Sequence, residues 1–184
     1  MLINRTNFIL KDGRTAVIRA ANPDTDTEEI INLLKTTAKE TRFLTHTEKE
    51  VEKITIKEEK EWLNKQNNSD TKIFMICEVD NQIVGTFGIE FYKSERKRHL
   101  ASVGIQVASK YWNLGIGTKF FELGFEMIKH LNKKLVELNV HSDNTRAINL
   151  YKKMGFSKVA TIAGELIMEN DEEKDVDIMI KKLK

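Results

Sequence analysis

Two glycines one residue apart, in Leu114-Gly115-Ile116-Gly117-Thr118, stand where a strand should end and a helix begin. Glycine takes positive φ at little cost and lets the backbone come close to a ligand. The first N–H groups of a helix have no partner inside it, and the helix dipole favours an anion there. Such a turn can hold a phosphate or pyrophosphate. The P-loop pattern is excluded, because no Gly-Lys-Ser/Thr follows. The dinucleotide fingerprint needs a third glycine where Phe120 stands, and its preceding strand should belong to a βαβ unit rather than a meander. A coenzyme A site and a plain turn with no ligand both remain open.

The elements around this turn can be read from periodicity. Thr25-Asp26-Thr27-Glu28 reads as a capping box, followed at helical spacing by Ile30, Ile31, Leu33, Leu34 and Ala38. Two more boxes, Thr47…Glu50 and Thr55…Glu58, predict helix over Glu48–Asn67 with a break near Thr55. Lys72–Val79, Gln82–Tyr92 and Leu100–Ala108 read as an antiparallel meander with a tight turn at Asp80-Asn81. Phe120, Phe121, Phe125, Ile128 and Leu131 form one face of the helix after the glycines. A strand at Leu135–His141 and a helix at Asn144–Met154 follow, with Gly155 at the C-terminal αL position. Phe156–Ala163 and Val176–Leu183 should close the sheet, with Glu169–Asp175 as an acidic loop. The order is one strand, then helices, then the meander, then β-α-β-α-β-β, which predicts an α+β fold.

The whole chain sets bounds on what these elements can do. With 184 residues it fits a single domain over 1–184. Thirty Lys and Arg against 28 Asp and Glu leave a net charge of +2, which gives no support to a nucleic-acid partner. One cysteine, Cys77, excludes an internal disulfide and fits a reducing, cytoplasmic setting; its apolar strand makes it a core residue. No apolar run is long enough for a membrane span. His46, His99, His130 and His141 lack metal-ligand spacing, so no metal is expected.

Two segments together resemble the GNAT superfamily of acyl-CoA N-acyltransferases. Trp112-Asn113-Leu114-Gly115-Ile116-Gly117 is similar to the family's [Gln/Arg]-x-x-Gly-x-[Gly/Ala] loop. Asn144, Ala147, Ile148, Leu150, Tyr151, Lys153, Gly155 and Phe156 match its Asn-x-x-Ala-Ile-x-Leu-Tyr-x-Lys-x-Gly-Phe pattern in full. The element order agrees from about Arg14 to Leu183. The resemblance departs at Trp112, where the family has Arg or Gln, and at Asn113, often Gly.

The resemblance implies a GNAT fold, whose central mixed, mostly antiparallel sheet is splayed in the middle with helices on both faces. It implies an N-acetyltransferase that takes acetyl-CoA as acyl donor, has no metal, and acts on an unidentified primary amine. A homodimer is allowed, and no nucleic acid or membrane partner is expected. It assigns Ile105, Gln106 and Val107 to the pantetheine arm, a form of strand addition. Asn113, Leu114, Gly115, Ile116, Gly117 and Thr118 would hold the pyrophosphate. Asn144 would contact the ligand, a role compatible with an N-cap. Tyr151 matches the family's general acid, and packing alone is its other reading. Several relatives carry a strand Glu as base; Ala101 and Ser102 leave none here, so His99 is the first candidate, with Glu90 through water or His141 as rivals. The resemblance also puts Phe43-Leu44 over the acceptor site. The alternative to an enzyme is a degenerate acyl-CoA-binding sensor, kept open by Trp112 and the missing carboxylate.

Overall fold

The structure, a computed structural model, describes residues 3–183. It divides into two compact units: the chain up to Glu90 with Gly104–Phe120, and Phe91–Val103 with the chain from Phe121 onward.

The first unit carries β1 (Thr6–Ile9), β2 (Thr15–Ala20), β3 (Lys72–Val79) and most of β4 (Gln82–Phe91), each antiparallel to the next. The β1–β2 hairpin turns at Gly13, with φ +89°. Two strands stand where a single one is expected, and the Asp12-Gly13 pair between two apolar runs is the local cause of the hairpin. Asp80 and Asn81 turn β3 into β4 with φ of 52° and 60°, the positive pair that a two-residue type I′ hairpin requires.

Helix α1 (Thr27–Glu40) buries Ile30, Ile31 and Leu33. Its first turn is not capped by a Thr25…Glu28 box. Asp26 stands at the N-cap and makes no side-chain cap bond, because its carboxylate is spent on Arg19 at 2.5 Å and on the Asn22 N–H at 2.7 Å. The expected break near Thr55 is present: α2 (Glu48–Glu52) and α3 (Ile56–Asn67) each start with a complete capping box, at Thr47/Glu50 and Thr55/Glu58. Trp62 on α3 meets Phe74 on β3 edge to face, with ring centroids 5.0 Å apart. Cys77 is fully buried, and burial followed by the charge of Glu78 pushes its thiol up to about 12.

In the second unit, β5 (Leu100–Val107) starts parallel to β6 (Leu135–His141), and that ladder runs only from Leu100–Leu135 to Ser102–Glu137. Strand β6 continues against β8 (Glu173–Lys182), which pairs with β7 (Ser157–Ile167), both antiparallel. The strand order is β1-β2-β3-β4-β5-β6-β8-β7, a mixed sheet in an α+β chain. The acidic loop expected over Glu169–Asp175 is shorter. A turn with Asp171 at φ +60° closes the hairpin, and β8 already begins at Glu173. Charge did not prevent a strand there, because β7 and the first turns of β8 are largely exposed and their carboxylates stay in water.

Helix α4 (Ile116–His130) contributes Phe120 to the first unit, stacked on Phe87 with centroids 5.5 Å apart. It gives Phe121 and Phe125 to the second, where they pack with Phe156. Among the described residues, no helix is long and apolar enough to cross a membrane.

Candidate active site

The backbone at the end of β5 is fixed by a small set of bonds. Ala108 donates to the Val84 carbonyl at 2.9 Å, so its backbone groups face β4. Backbone groups alternate between the two edges of a strand, so those of Ile105 and Val107 face away from β4. The Val107 carbonyl accepts from the indole N–H of Trp112 at 2.7 Å. The Gln106 side-chain amide bonds the hydroxyl of Thr37 in α1, which itself bonds back to the Leu33 carbonyl at 2.7 Å. The N–H of Ser109, just past the strand, donates to Glu40 at the end of α1 at 2.7 Å. Gln106 is thus held through its side chain as well as its backbone. Strand β4 bulges opposite Cys77–Glu78, and Gly85 beside the bulge lies against Gln106.

The loop that follows turns on two residues with positive φ, Asn113 at +63° and Gly115 at +103°. Asparagine is among the few non-glycine residues that adopt this conformation readily, which suits Asn113 to its place. At Gly115 a Cβ would meet nothing within 4 Å, so glycine is required by its φ and not by room. Gly117, by contrast, lies in the first turn of α4 and has no positive φ. The Leu114 carbonyl accepts from Lys11 at 3.1 Å. In a trans peptide the next N–H points the opposite way, so the Gly115 N–H is turned away from Lys11. The helical ladder opens with Lys119 N–H to the Gly115 carbonyl at 3.0 Å, and the N–H groups of Gly115, Ile116 and Gly117 precede it. Positive φ followed by a helix start gathers N–H groups into an anion cradle.

The second unit places Asn144 and Tyr151 on α5 (Thr145–Lys153). Asn144 is buried and is the N-cap: its side-chain oxygen accepts from Ala147 N–H at 3.2 Å, and its own N–H donates to the His141 carbonyl. The other end of α5 is closed by Gly155 at φ +87°, with Gly155 N–H to Lys152 and Phe156 N–H to Tyr151. That Schellman arrangement folds Phe156 back against Tyr151, whose ring also meets Phe121 edge-on at 5.7 Å. Tyr151 is 7% exposed. Burial pushes its phenol up to about 12, opposed by the charge of Arg146. Its hydroxyl makes no hydrogen bond among the described residues, so packing alone positions the ring.

The base candidates are less tightly held. His99 lies exposed in the turn before β5 rather than in the strand, and its carbonyl accepts from Lys134 and Leu135. Glu90 is exposed and faces Lys72 at 3.5 Å. His141 is buried at the end of β6. Among the described residues, no group of three or more His, Cys, Asp or Glu could hold a metal ion.

The model of the acetyltransferase (GNAT) family matches residues 31–156, a span that holds both the cradle and α5. The chain belongs to this family. An N-alpha-acetyltransferase of Sulfurisphaera tokodaii is 34% identical over 100 residues, 48% of this chain and 59% of that protein. The chain spans about half the length of the curated relatives it matches. Among solved structures, a GNAT acetyltransferase of Streptococcus pneumoniae superposes with a TM-score of 0.83 at 28% identity, covering 91% of this chain and 99% of that one. A Salmonella typhimurium protein solved with its cofactor acetyl-CoA shares the fold, with a TM-score of 0.77 at 15% identity over 92% and 94% of the two chains.

Sequence reasoning missed the bond from Trp112 to Val107 and the ties from Thr37 and Glu40. A helix-to-strand side-chain bond leaves no local pattern, so no sequence signal could have found the two ties. Trp112 itself stood out only as a departure.

Proposed function

We propose that this chain is an N-acetyltransferase that moves an acetyl group from acetyl-CoA directly to a primary amine, on a small molecule or a protein N-terminus. It would act as one domain over 1–184, in the cytoplasm. The observation that carries this is the cradle at Gly115: a +103° φ next to a carbonyl held by Lys11, leading directly into the N-terminus of a 15-residue helix. The N–H groups from Asn113 to Thr118 would receive the pyrophosphate. The acetyl-CoA held by the Salmonella relative supports the same donor here.

The remaining roles follow from where backbone groups face. The edge of β5 turned from β4 offers Ile105 and Val107 to the pantetheine arm, with Gln106 between them, as an added strand would need. An N–H of Ile105 or Val107 would receive the carbonyl oxygen as it gains charge. The amine nitrogen bonds to the carbonyl carbon and the carbon–sulfur bond breaks. The Tyr151 hydroxyl gives its proton to the departing sulfur, and the amine gives one up to a base. A phenol raised to about 12 holds its proton at neutral pH, and the charge of Arg146 works against burial to keep it transferable. Asn144 would touch the ligand from its N-cap position. His99 is the proposed base. It stands six residue steps before Ile105, about 20 Å along an extended chain, so it can act only at the end of a water chain.

Calorimetry with acetyl-CoA tests the donor. Binding that is lost in Gly117→Val, with the fold retained, is expected, because a branched side chain would crowd the cradle. No heat of binding at millimolar acetyl-CoA would end the proposal.

A further inference from the structure

Trp112 stands where the family's loop has Arg or Gln, and a planar indole cannot offer a phosphate what those side chains offer. It does something else. Its ring N–H reaches back five residues to the Val107 carbonyl at 2.7 Å, across the 3₁₀ turn Ser109–Tyr111. The backbone of that turn closes the same way, with Tyr111 N–H to Ala108 at 2.9 Å and Trp112 N–H to Ser109 at 3.0 Å. Trp112 itself is extended, at φ −67° and ψ 152°, and the next residue is Asn113 at φ +63°. The indole bond therefore spans the point where the chain leaves β5 and begins to turn into the cradle.

We propose that Trp112 is a positioning residue, whose indole N–H clasps the Val107 carbonyl and so holds Asn113–Gly117 in the shape that receives the diphosphate of coenzyme A. Two consequences follow from the geometry. First, the loop is pinned at both ends, by Trp112 at Val107 and by Lys11 at the Leu114 carbonyl, which leaves its N–H groups as the groups that face a ligand. Second, the open edge of β5 loses its last acceptor. Val107 can still donate an N–H to the pantetheine arm, and Ile105 can offer both groups, but the Val107 carbonyl is committed. The indole pre-shapes the backbone that meets the diphosphate, and preorganisation raises affinity by removing the cost of ordering on binding.

The inference rests on the proposed use of acetyl-CoA, and the test separates the two. Trp112→Phe keeps an aromatic ring in a half-buried place and removes the N–H donor together with the indole's five-membered ring, so the unfolding midpoint is read beside affinity to register any lost packing. The dissociation constants of coenzyme A and of 3′-phosphoadenosine 5′-diphosphate, which has the diphosphate but no arm, are measured for both proteins, the second ligand by displacement of the first. One neutral hydrogen bond lost from a preformed loop corresponds to about tenfold weaker binding. The proposal expects that loss for both ligands, with an unchanged midpoint of thermal unfolding and an unchanged kcat at saturating acetyl-CoA. Equal affinities for the two proteins would overturn it. So would a loss seen with coenzyme A alone, which would place the effect on the β5 edge, or a fall of more than about 10 °C in the unfolding midpoint, which at this length means several kcal/mol of lost packing. Failure of the unaltered protein to bind either ligand would instead refute the acetyl-CoA reading itself.

Discussion

Gly85→Ala is the substitution whose cost can be worked most directly from the structure. A Cβ at residue 85 would lie 2.9 Å from the Gln106 carbonyl oxygen, 3.2 Å from Cγ2 of Val107 and 3.4 Å from the Phe120 ring. The first is backbone and cannot rotate away, so β4 and the end of β5 must separate. Overpacking of this kind costs about 1–3 kcal/mol. Against it stands a gain of about 0.4–1 kcal/mol, because alanine restricts the unfolded chain more than glycine does. The net loss should be about 1–2 kcal/mol, or a fall of roughly 2–8 °C in the unfolding midpoint for a chain of this length. Gly88→Ala, three residues on in the same strand, is the control: a Cβ there meets nothing within 4 Å, and its φ is not positive. It should be neutral or slightly stabilising. Urea unfolding followed by circular dichroism measures both variants under one protocol. Because the clash falls on Gln106 and Val107, Gly85→Ala should also weaken coenzyme A binding, and Gly88→Ala should not. Equal stability of the two variants would refute the idea that close approach of β4 and β5 sets the geometry of the arm's strand.

Tyr151→Phe should leave coenzyme A affinity and stability nearly unchanged and lower kcat by about 10²–10⁴-fold, since it removes only the proposed acid; normal turnover would return Tyr151 to a packing role. If His99 receives the amine proton, His99→Ala should lower kcat/KM for the amine by about 10²-fold or more and leave coenzyme A affinity unchanged; unchanged turnover would exclude it. Burial alone would raise the Asp26 carboxyl, but Arg19 and the Asn22 N–H hold it below its ordinary value. A lowered folded pKa means that this pair stabilises the protein above the usual carboxylate range and stops doing so as pH falls through the folded value. Asp26→Asn should therefore cost about 2 kcal/mol at pH 7 and much less in acid, read by urea unfolding at both pH values. Cys77, raised to about 12 by burial, should resist iodoacetamide in the native protein at pH 8 and react once urea unfolds it.

What the sequence made legible was what depends on local spacing. The boxes at Thr47 and Thr55 are side-chain-to-backbone bonds within three residues, so α2 and α3 could be separated on the page. Asp80-Asn81 declared its hairpin, and Gly155 its helix end, for the same reason. The box at Thr25 failed because the helix starts one residue later, with Asp26 at the N-cap and its carboxylate taken by Arg19 and the Asn22 N–H. The acidic turn was read too long because charge content says little about an exposed edge hairpin. At the site, Gly115 was legible through its spacing, but only Gly115 of the pair needs positive φ. The ties from Thr37 and Glu40 to the end of β5 join residues 69 apart, and the Trp112 bond, though it spans five residues, follows no common local pattern.

The central claim is acyl transfer, and one measurement meets it directly: release of the coenzyme A thiol from acetyl-CoA by the purified protein, followed with a panel of amino acids, polyamines, small amines and peptides with free N-termini. The expected result is thiol released in step with acetylated product for at least one primary amine, and reduced by about 10²-fold or more in Tyr151→Phe. Acetyl-CoA that binds tightly yet yields no thiol above the uncatalysed rate with any acceptor would contradict it, and would make the chain a sensor of acyl-CoA instead of an enzyme.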